Sequence, residues 1–181
     1  MLIARPAKRD TATFFKVDAR FDLVVDEVVV GGLVYRVRSE ASEIALRTEV
    51  YRAGRARPRQ DDTPLARAIR RVKGQENIGS NPVLLTDAAG RVHAKAEARR
   101  GGARIEIAGQ SFELRRRSEF SRRFDLYLET TPKPVGSVGQ TDALSTSLTS
   151  DCLFEISELL QAFLVALLLD PMLVALDRSN P

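Results

Sequence analysis

The sequence predicts a mainly β domain that ends in one buried, hydrophobic α-helix. Three observations carry this reading. Apolar and polar side chains alternate at period two over much of residues 14–138, turn signals interrupt them about every 8–12 residues, and an almost wholly apolar run, Leu159 to Leu169, follows near the end. Period-two alternation places apolar members on one face, as in half-buried antiparallel strands. The segments amount to about ten to twelve short strands without an internal repeat, a meander that closes into a barrel or a sandwich.

Residues 1–12 read as a flexible leader, because no apolar run follows their basic residues. Phe21, Leu23 and Val25 then alternate with Asp22, Val24 and Asp26. Leu33, Tyr35 and Val37 alternate with Arg36 and Arg38, and Ile44, Leu46 and Val50 with Glu43, Arg47 and Glu49. Gly31-Gly32 is expected to form the tight turn between two of these strands. Arg55 to Thr63, with Gly54 and Pro58, reads as an exposed loop. Thr63-Pro64 can start a helix, and Leu65, Ile69 and Val72 recur at helical spacing, so a short extra helix is expected near 64–73.

Period two returns at Val83, and Thr86 to Gly90 supplies a hairpin turn. Val92, Ala94, Ala96 and Ala98 then oppose Arg91, His93, Lys95 and Glu97. Gly101-Gly102 leads into Ile105 and Ile107, and Gly109-Gln110 into Phe112 and Leu114. Phe120, Phe124, Leu126 and Leu128 share a face with Arg122. Val135 to Val138 and Ala143 to Leu148 add two weaker strands.

Ser157 is the expected N-cap of the last helix, with Glu155 and Glu158 favoured by its dipole. Leu159 to Leu169 has only Gln161 as a polar member, so the helix is apolar around its whole circumference and must lie inside protein or in lipid. Its rise of about 16 Å is about half the hydrocarbon thickness of a bilayer. Asp170-Pro171 interrupts any extension to Leu176, which favours burial over a tail anchor.

Several chemistries lack their residues. The single cysteine, Cys152, excludes an intrachain disulfide and a cysteine metal cluster, and beside Leu153 and Phe154 it reads as a buried thiol. The only histidine, His93, falls with Arg91, Lys95 and Glu97 on a polar strand face, where a solvated ring is expected. No Gly-x-Ser-x-Gly elbow, P-loop lysine or Gly-x-Gly-x-x-Gly occurs. Asp61, Asp62 and Asp87 read as turn and capping residues. No catalytic residue, metal ligand or cofactor is assigned, and the expectation is a non-enzymatic domain in a reducing cytoplasm.

Leu85-Thr86-Asp87, Gly90 and Val92, then Phe112-Glu113-Leu114, Phe124-Asp125-Leu126, Val135-Gly136-Ser137-Val138 and Leu160-Gln161-Ala162-Phe163-Leu164 together resemble the Tubby C-terminal-like superfamily. Its members include phospholipid scramblases and related small bacterial proteins. The resemblance runs over about residues 14–176 and is strongest over 83–169. It implies a single domain over 13–176, with 177–181 as a flexible tail, built as a closed antiparallel barrel of about twelve strands around the C-terminal helix. No headgroup-binding motif of that superfamily matches here position by position, and its proline-rich and cysteine-rich leader is missing.

The chain carries 28 basic and 24 acidic residues, a net charge of only +4 in spite of a pI near 9.6. Arginine dominates the cations, as a GC-rich coding sequence favours. Its clusters are nevertheless the candidate site: Arg115, Arg116, Arg117, Arg122 and Arg123 flank one turn, where they could hold phosphate groups by bidentate hydrogen bonds. The expectation is a binding or scaffold domain that engages anionic phospholipid headgroups peripherally at a membrane. A protein–protein module and an enzyme acting on a small ligand at the barrel mouth are the alternatives. Nucleic acid is disfavoured, since neither aromatic stacking platform nor helix-turn-helix accompanies the charge.

Overall fold

A computed structural model describes residues 1–7, 18–36, 41–56, 81–99, 101–118, 123–140, 147–152 and 157–169. Twelve antiparallel strands form a closed barrel in sequence order: β1 (Leu2–Pro6), β2 (Ala19–Val25), β3 (Val28–Arg36), β4 (Ala41–Leu46), β5 (Glu49–Arg55), β6 (Val83–Asp87), β7 (Val92–Arg99), β8 (Gly102–Ile107), β9 (Gln110–Arg116), β10 (Arg123–Leu128), β11 (Pro134–Gln140) and β12 (Leu148–Cys152). Each strand pairs with its sequence neighbours, and β1 pairs with β12 to close the ring. The helix α1 (Glu158–Leu169) completes the described chain. The expected mainly β barrel around a buried helix is therefore the observed fold.

The helix is enclosed. Leu160 and every residue from Ala162 to Leu167 are buried, and consecutive burial over more than a turn leaves no solvent-facing side. It touches β1, β3, β4, β5, β11 and β12. Room for it comes from small inward residues on the strands: Ala4, Ala53, Ala94, Ala96 and Ala103 are all buried in the core it shares. Ser157 caps it as expected, its Oγ accepting the Leu160 N–H at 3.2 Å. Glu158 in the first turn is held by Arg47 at 3.1 Å.

Up-and-down order separates the connections into two sets. The β2–β3, β4–β5, β6–β7, β8–β9 and β10–β11 connections lie at one mouth, here the hairpin mouth, where the Arg47–Glu158 pair also places the start of α1. Most are tight. Asp26 and Glu27 both have positive φ (47° and 66°), as do Ala108 and Gly109 (50° and 76°), the pattern of the primed turns whose twist matches a hairpin. The connections β1–β2, β3–β4, β5–β6, β7–β8, β9–β10 and β11–β12 lie at the opposite, loop mouth, and most are longer. Twelve helical residues rise about 18 Å. Seven-residue strands tilted by about 40° give a similar barrel height, so α1 runs from the hairpin mouth to the loop mouth.

Three elements differ from the sequence reading. Leu2–Pro6, assigned to a flexible leader, is the strand that closes the barrel, with Leu2 and Ala4 fully buried. Two inward positions are too few to show a period. Gly31-Gly32 is not a turn but the middle of β3; the turn is Asp26-Glu27. A bulge at Val30 shifts the β2–β3 register there, and a Cβ on Gly31 would sit 1.9 Å from the Ala45 carbonyl oxygen. Glycine is needed for that approach of β4 to β3. The last described strand is Leu148–Cys152, running past the Leu148 at which the sequence reading ends it, because pairing with β1 and β11 overrides its weak apolar pattern; residues 143–146 lie outside the described residues. Within it, Ser150 is fully buried and Cys152 lies opposite Gly136. The expected helix near 64–73, Asp61, Asp62 and the tail 177–181 lie outside the described residues.

Candidate functional site

Strand alternation divides the arginine cluster. On β9, Phe112 and Leu114 are buried in the core, so Arg116 follows them inward and Arg115 and Arg117 stand outside. Arg116 lies over the Phe124 ring, 5.8 Å from its centroid, at the loop mouth. Outside, Arg115 meets Glu113 at 2.5 Å and stacks on Tyr127 at 4.7 Å. Arg117 grips Asp125 with two nitrogens, the shorter contact being 2.6 Å. Hydrogen bonding to Glu113 and to Asp125 raises the pKa of Arg115 and Arg117 respectively, and bonding from Arg115 lowers that of Glu113. Arg123 reaches across to the Gln140 carbonyl at 3.2 Å. Arg122 lies outside the described residues. The four described arginines thus share one mouth without converging on a single pocket, and two of them are held by carboxylates.

The wider arrangement is more informative than the cluster. The described loop-mouth half of the barrel carries Arg5, Arg20, Arg36, Arg52, Arg55, Arg99, Arg104, Arg115, Arg116, Arg117 and Arg123, against Asp18, Asp22, Glu43, Glu97, Glu113 and Asp125. Arg55 points inward with Ala53 and Tyr51 on β5 and pairs with buried Val83, so it joins Arg116 at the inner rim. The hairpin-mouth half has the opposite balance: Asp26, Glu27, Glu49, Asp87, Glu106, Glu129, Asp151 and Glu158 outnumber Arg47, Arg91, Lys95 and Lys133. The charges run along the barrel axis in the sense that complements the α1 dipole, acids at its positive N-terminal end and arginines at its negative C-terminal end.

On the outer wall beside the loop mouth, Arg36, Ala41, Ser42, Glu43 and Arg52 line a cavity of about 250 Å³. Arg36 bridges Asp18 at 3.5 Å and Glu43 at 3.2 Å. The Arg52 guanidinium leans toward Gly54, where a side chain would crowd Ala41. Around β7 to β10 the outward positions are charged, with Lys95, Glu97, Arg104, Glu106, Glu113, Arg115 and Asp125. That wall faces water, for a barrel crossing a bilayer needs an apolar outer band. Among the described residues no helix is long and apolar enough to cross a membrane.

His93 is not the solvated face residue that alternation suggests. The β6–β7 register pairs Leu85 with Ala94 and Thr86 with Val92, which leaves His93 as the extra residue of a bulge. The bulge turns its ring toward the hairpin mouth. Nε2 lies 2.9 Å from Asp87 Oδ2, and the ring meets Tyr51 edge-to-face at 5.3 Å. Asp87 Oδ1 also accepts the Arg91 N–H at 2.9 Å, and the bond from His93, followed by that from Arg91, lowers the Asp87 pKa. The Tyr51 hydroxyl donates to Glu49, which raises the tyrosine pKa. Every member of this quartet has a partner within it, and the set fixes the β5–β6–β7 end of the barrel. Sequence reasoning missed it because a bulge is a pairing feature with no local pattern. Among the described residues no group of three or more histidine, cysteine, aspartate or glutamate side chains could hold a metal ion.

No family model, curated protein or solved structure matches this chain.

Proposed function

We propose that the protein is a non-enzymatic binding domain whose loop mouth docks peripherally on anionic phospholipid headgroups, in keeping with its Tubby-like resemblance. The observation that carries this reading is the axial segregation of charge, which gathers arginines at the mouth that also bears the long connections. Long connections are where binding surfaces are placed on a rigid scaffold. Arginines held in position by carboxylates, such as Arg117 on Asp125, are preorganised rather than spent, since a guanidinium has donors beyond those one carboxylate takes. A net charge of +4 on the whole chain would give weak, salt-sensitive attraction, and its concentration at one end gives the contact an orientation.

Vesicle flotation tests the proposal. Vesicles rich in phosphatidylserine should carry the protein at low salt and release it at high salt, while phosphatidylcholine vesicles should not carry it. Exchanging Arg99 and Arg123, both exposed at this mouth, for glutamate should reduce flotation at least several-fold. Equal, negligible recovery with both vesicle types would overturn the proposal.

A further inference from the structure

Three neighbouring strands place two arginines on opposite sides of the outer-wall cavity. Leu33, Ile44, Tyr51 and Ala53 are buried in the core, so alternation turns Arg36 on β3, Ala41 and Glu43 on β4, and Arg52 and Gly54 on β5 outward together. The register sets them in two rows, Arg36–Ala41–Gly54 nearer the loop mouth and Val34–Glu43–Arg52 beside it. Strands β3 and β5 are two strand spacings apart, about 9–10 Å. The two long side chains therefore stand across a gap floored by small residues, Ala41 and Gly54. Glu43 turns to Arg36 at 3.2 Å, and Asp18 holds Arg36 at 3.5 Å. Arg52 is in neither pair. Its Nε lies 3.9 Å from where a Gly54 Cβ would be, and among the described residues no carboxylate holds it. One fixed and one unclaimed guanidinium thus flank the same cavity.

We propose that this cavity binds a small organic carboxylate, which Arg52 takes while Arg36 stands as a fixed charge across from it. The planar fork of a guanidinium matches the two oxygens of a carboxylate. The chain already uses that geometry where Arg117 takes Asp125 with two nitrogens. Glu43 lines the same cavity, so one added negative charge is tolerated better than two. This disfavours a phosphate monoester, which carries about −1.5 to −2 charges at pH 7. The cavity, about 250 Å³, lies below the roughly 300–1,000 Å³ of drug-sized ligand sites, so the body behind the carboxylate is only a few carbons. The Ala41 methyl and the arginine stems give that body an apolar seat. This inference does not rest on lipid binding.

Titration of the full chain, followed by amide NMR shifts, tests it with isobutyrate as the probe and isobutyramide as its uncharged counterpart. Isobutyrate should give saturable shifts confined to β3, β4 and β5 around Arg36, Ala41, Arg52 and Gly54, and isobutyramide none there. Arg52→Gln removes a guanidinium that no described carboxylate holds, so it should keep the wild-type Tm. It should weaken isobutyrate about tenfold or more, as loss of a charge-assisted pair does. Arg52→Lys, which keeps the charge and loses the fork, should fall between the two. Inorganic phosphate should bind several-fold more weakly than isobutyrate. Absent or unsaturable shifts, shifts centred elsewhere, or equal binding of isobutyramide would overturn the proposal. So would either Arg52 variant binding like the wild type, or phosphate binding more tightly than isobutyrate. No vesicle enters this titration, so its outcome is separate from that of flotation.

Discussion

Phe163→Ala probes the enclosure of α1 most directly. Phe163 is fully buried and among the largest such side chains, on a helix with protein on every side. Removing a buried phenyl group costs about 3–5 kcal/mol, the exact value depending on how far the surroundings collapse into the space. Collapse is restricted here, because the radius of a closed barrel is fixed by strand number and stagger. The loss should lie in the upper part of that range, a large share of the roughly 5–15 kcal/mol that stabilises an ordinary domain. At about 2–4 °C per kcal/mol for a chain of this size, Tm should fall by about 8–20 °C. Urea unfolding followed by circular dichroism gives the energy directly, and an unchanged m-value would show that the unfolding reaction is the same. Val29→Ala, at a position 61% exposed, is the control and should lie within about 0.5 kcal/mol of wild type. A Phe163→Ala loss below about 1 kcal/mol would refute the enclosed helix.

Three further perturbations test the local arguments. Gly31→Ala forces a Cβ to 1.9 Å from a backbone oxygen and should cost about 3 kcal/mol or more, whereas Gly32→Ala meets nothing nearer than 3.6 Å and should change the urea midpoint little. Ser157→Ala removes the acceptor for the Leu160 N–H and should cost about 1 kcal/mol, with Ser157→Asp restoring most of it in the same assay. Asp87 has a depressed pKa in the folded state, so its carboxylate adds stability that is complete above the unfolded value of about 3.9 and is lost as pH falls through the lower folded value. Asp87→Asn should therefore flatten the acid limb of a stability–pH curve below about pH 4, and an unchanged limb would show that the His93 and Arg91 contacts contribute nothing.

The legible parts of this fold are those written locally. Leu159 to Leu169 announces a helix needing cover, and Phe112 with Leu114, or Phe124 with Leu126, announces which face of a strand looks inward. What escaped was written in pairing. Leu2 becomes a core residue only because Val25 and Ser150 stand beside it, and Ala4 only because Leu23 and Leu148 do, all of them partners distant along the chain. Gly31 looks like a turn residue until the Ala45 carbonyl is placed against it. His93 looks solvated until a bulge rotates it onto Asp87. The candidate site shows the same division. Adjacency in sequence suggested that Arg115, Arg116 and Arg117 act together, yet a strand sends neighbours to opposite faces, so proximity along the chain separates them in space.

Topology explains why the two mouths of this barrel can differ so much. In an up-and-down barrel every second connection falls at the same end, so the sequence can treat the two sets independently. At the hairpin mouth, tight turns hold register, and positive-φ residues such as Glu27 and Arg47 accept backbone strain to keep those turns short. At the loop mouth most of the connections are longer. The enclosed helix links the two ends electrically: its dipole favours acids at one and bases at the other before any ligand is present. The charge segregation is therefore oriented in the sense that the α1 dipole favours. Reversing the helix would reverse which mouth could tolerate the arginines.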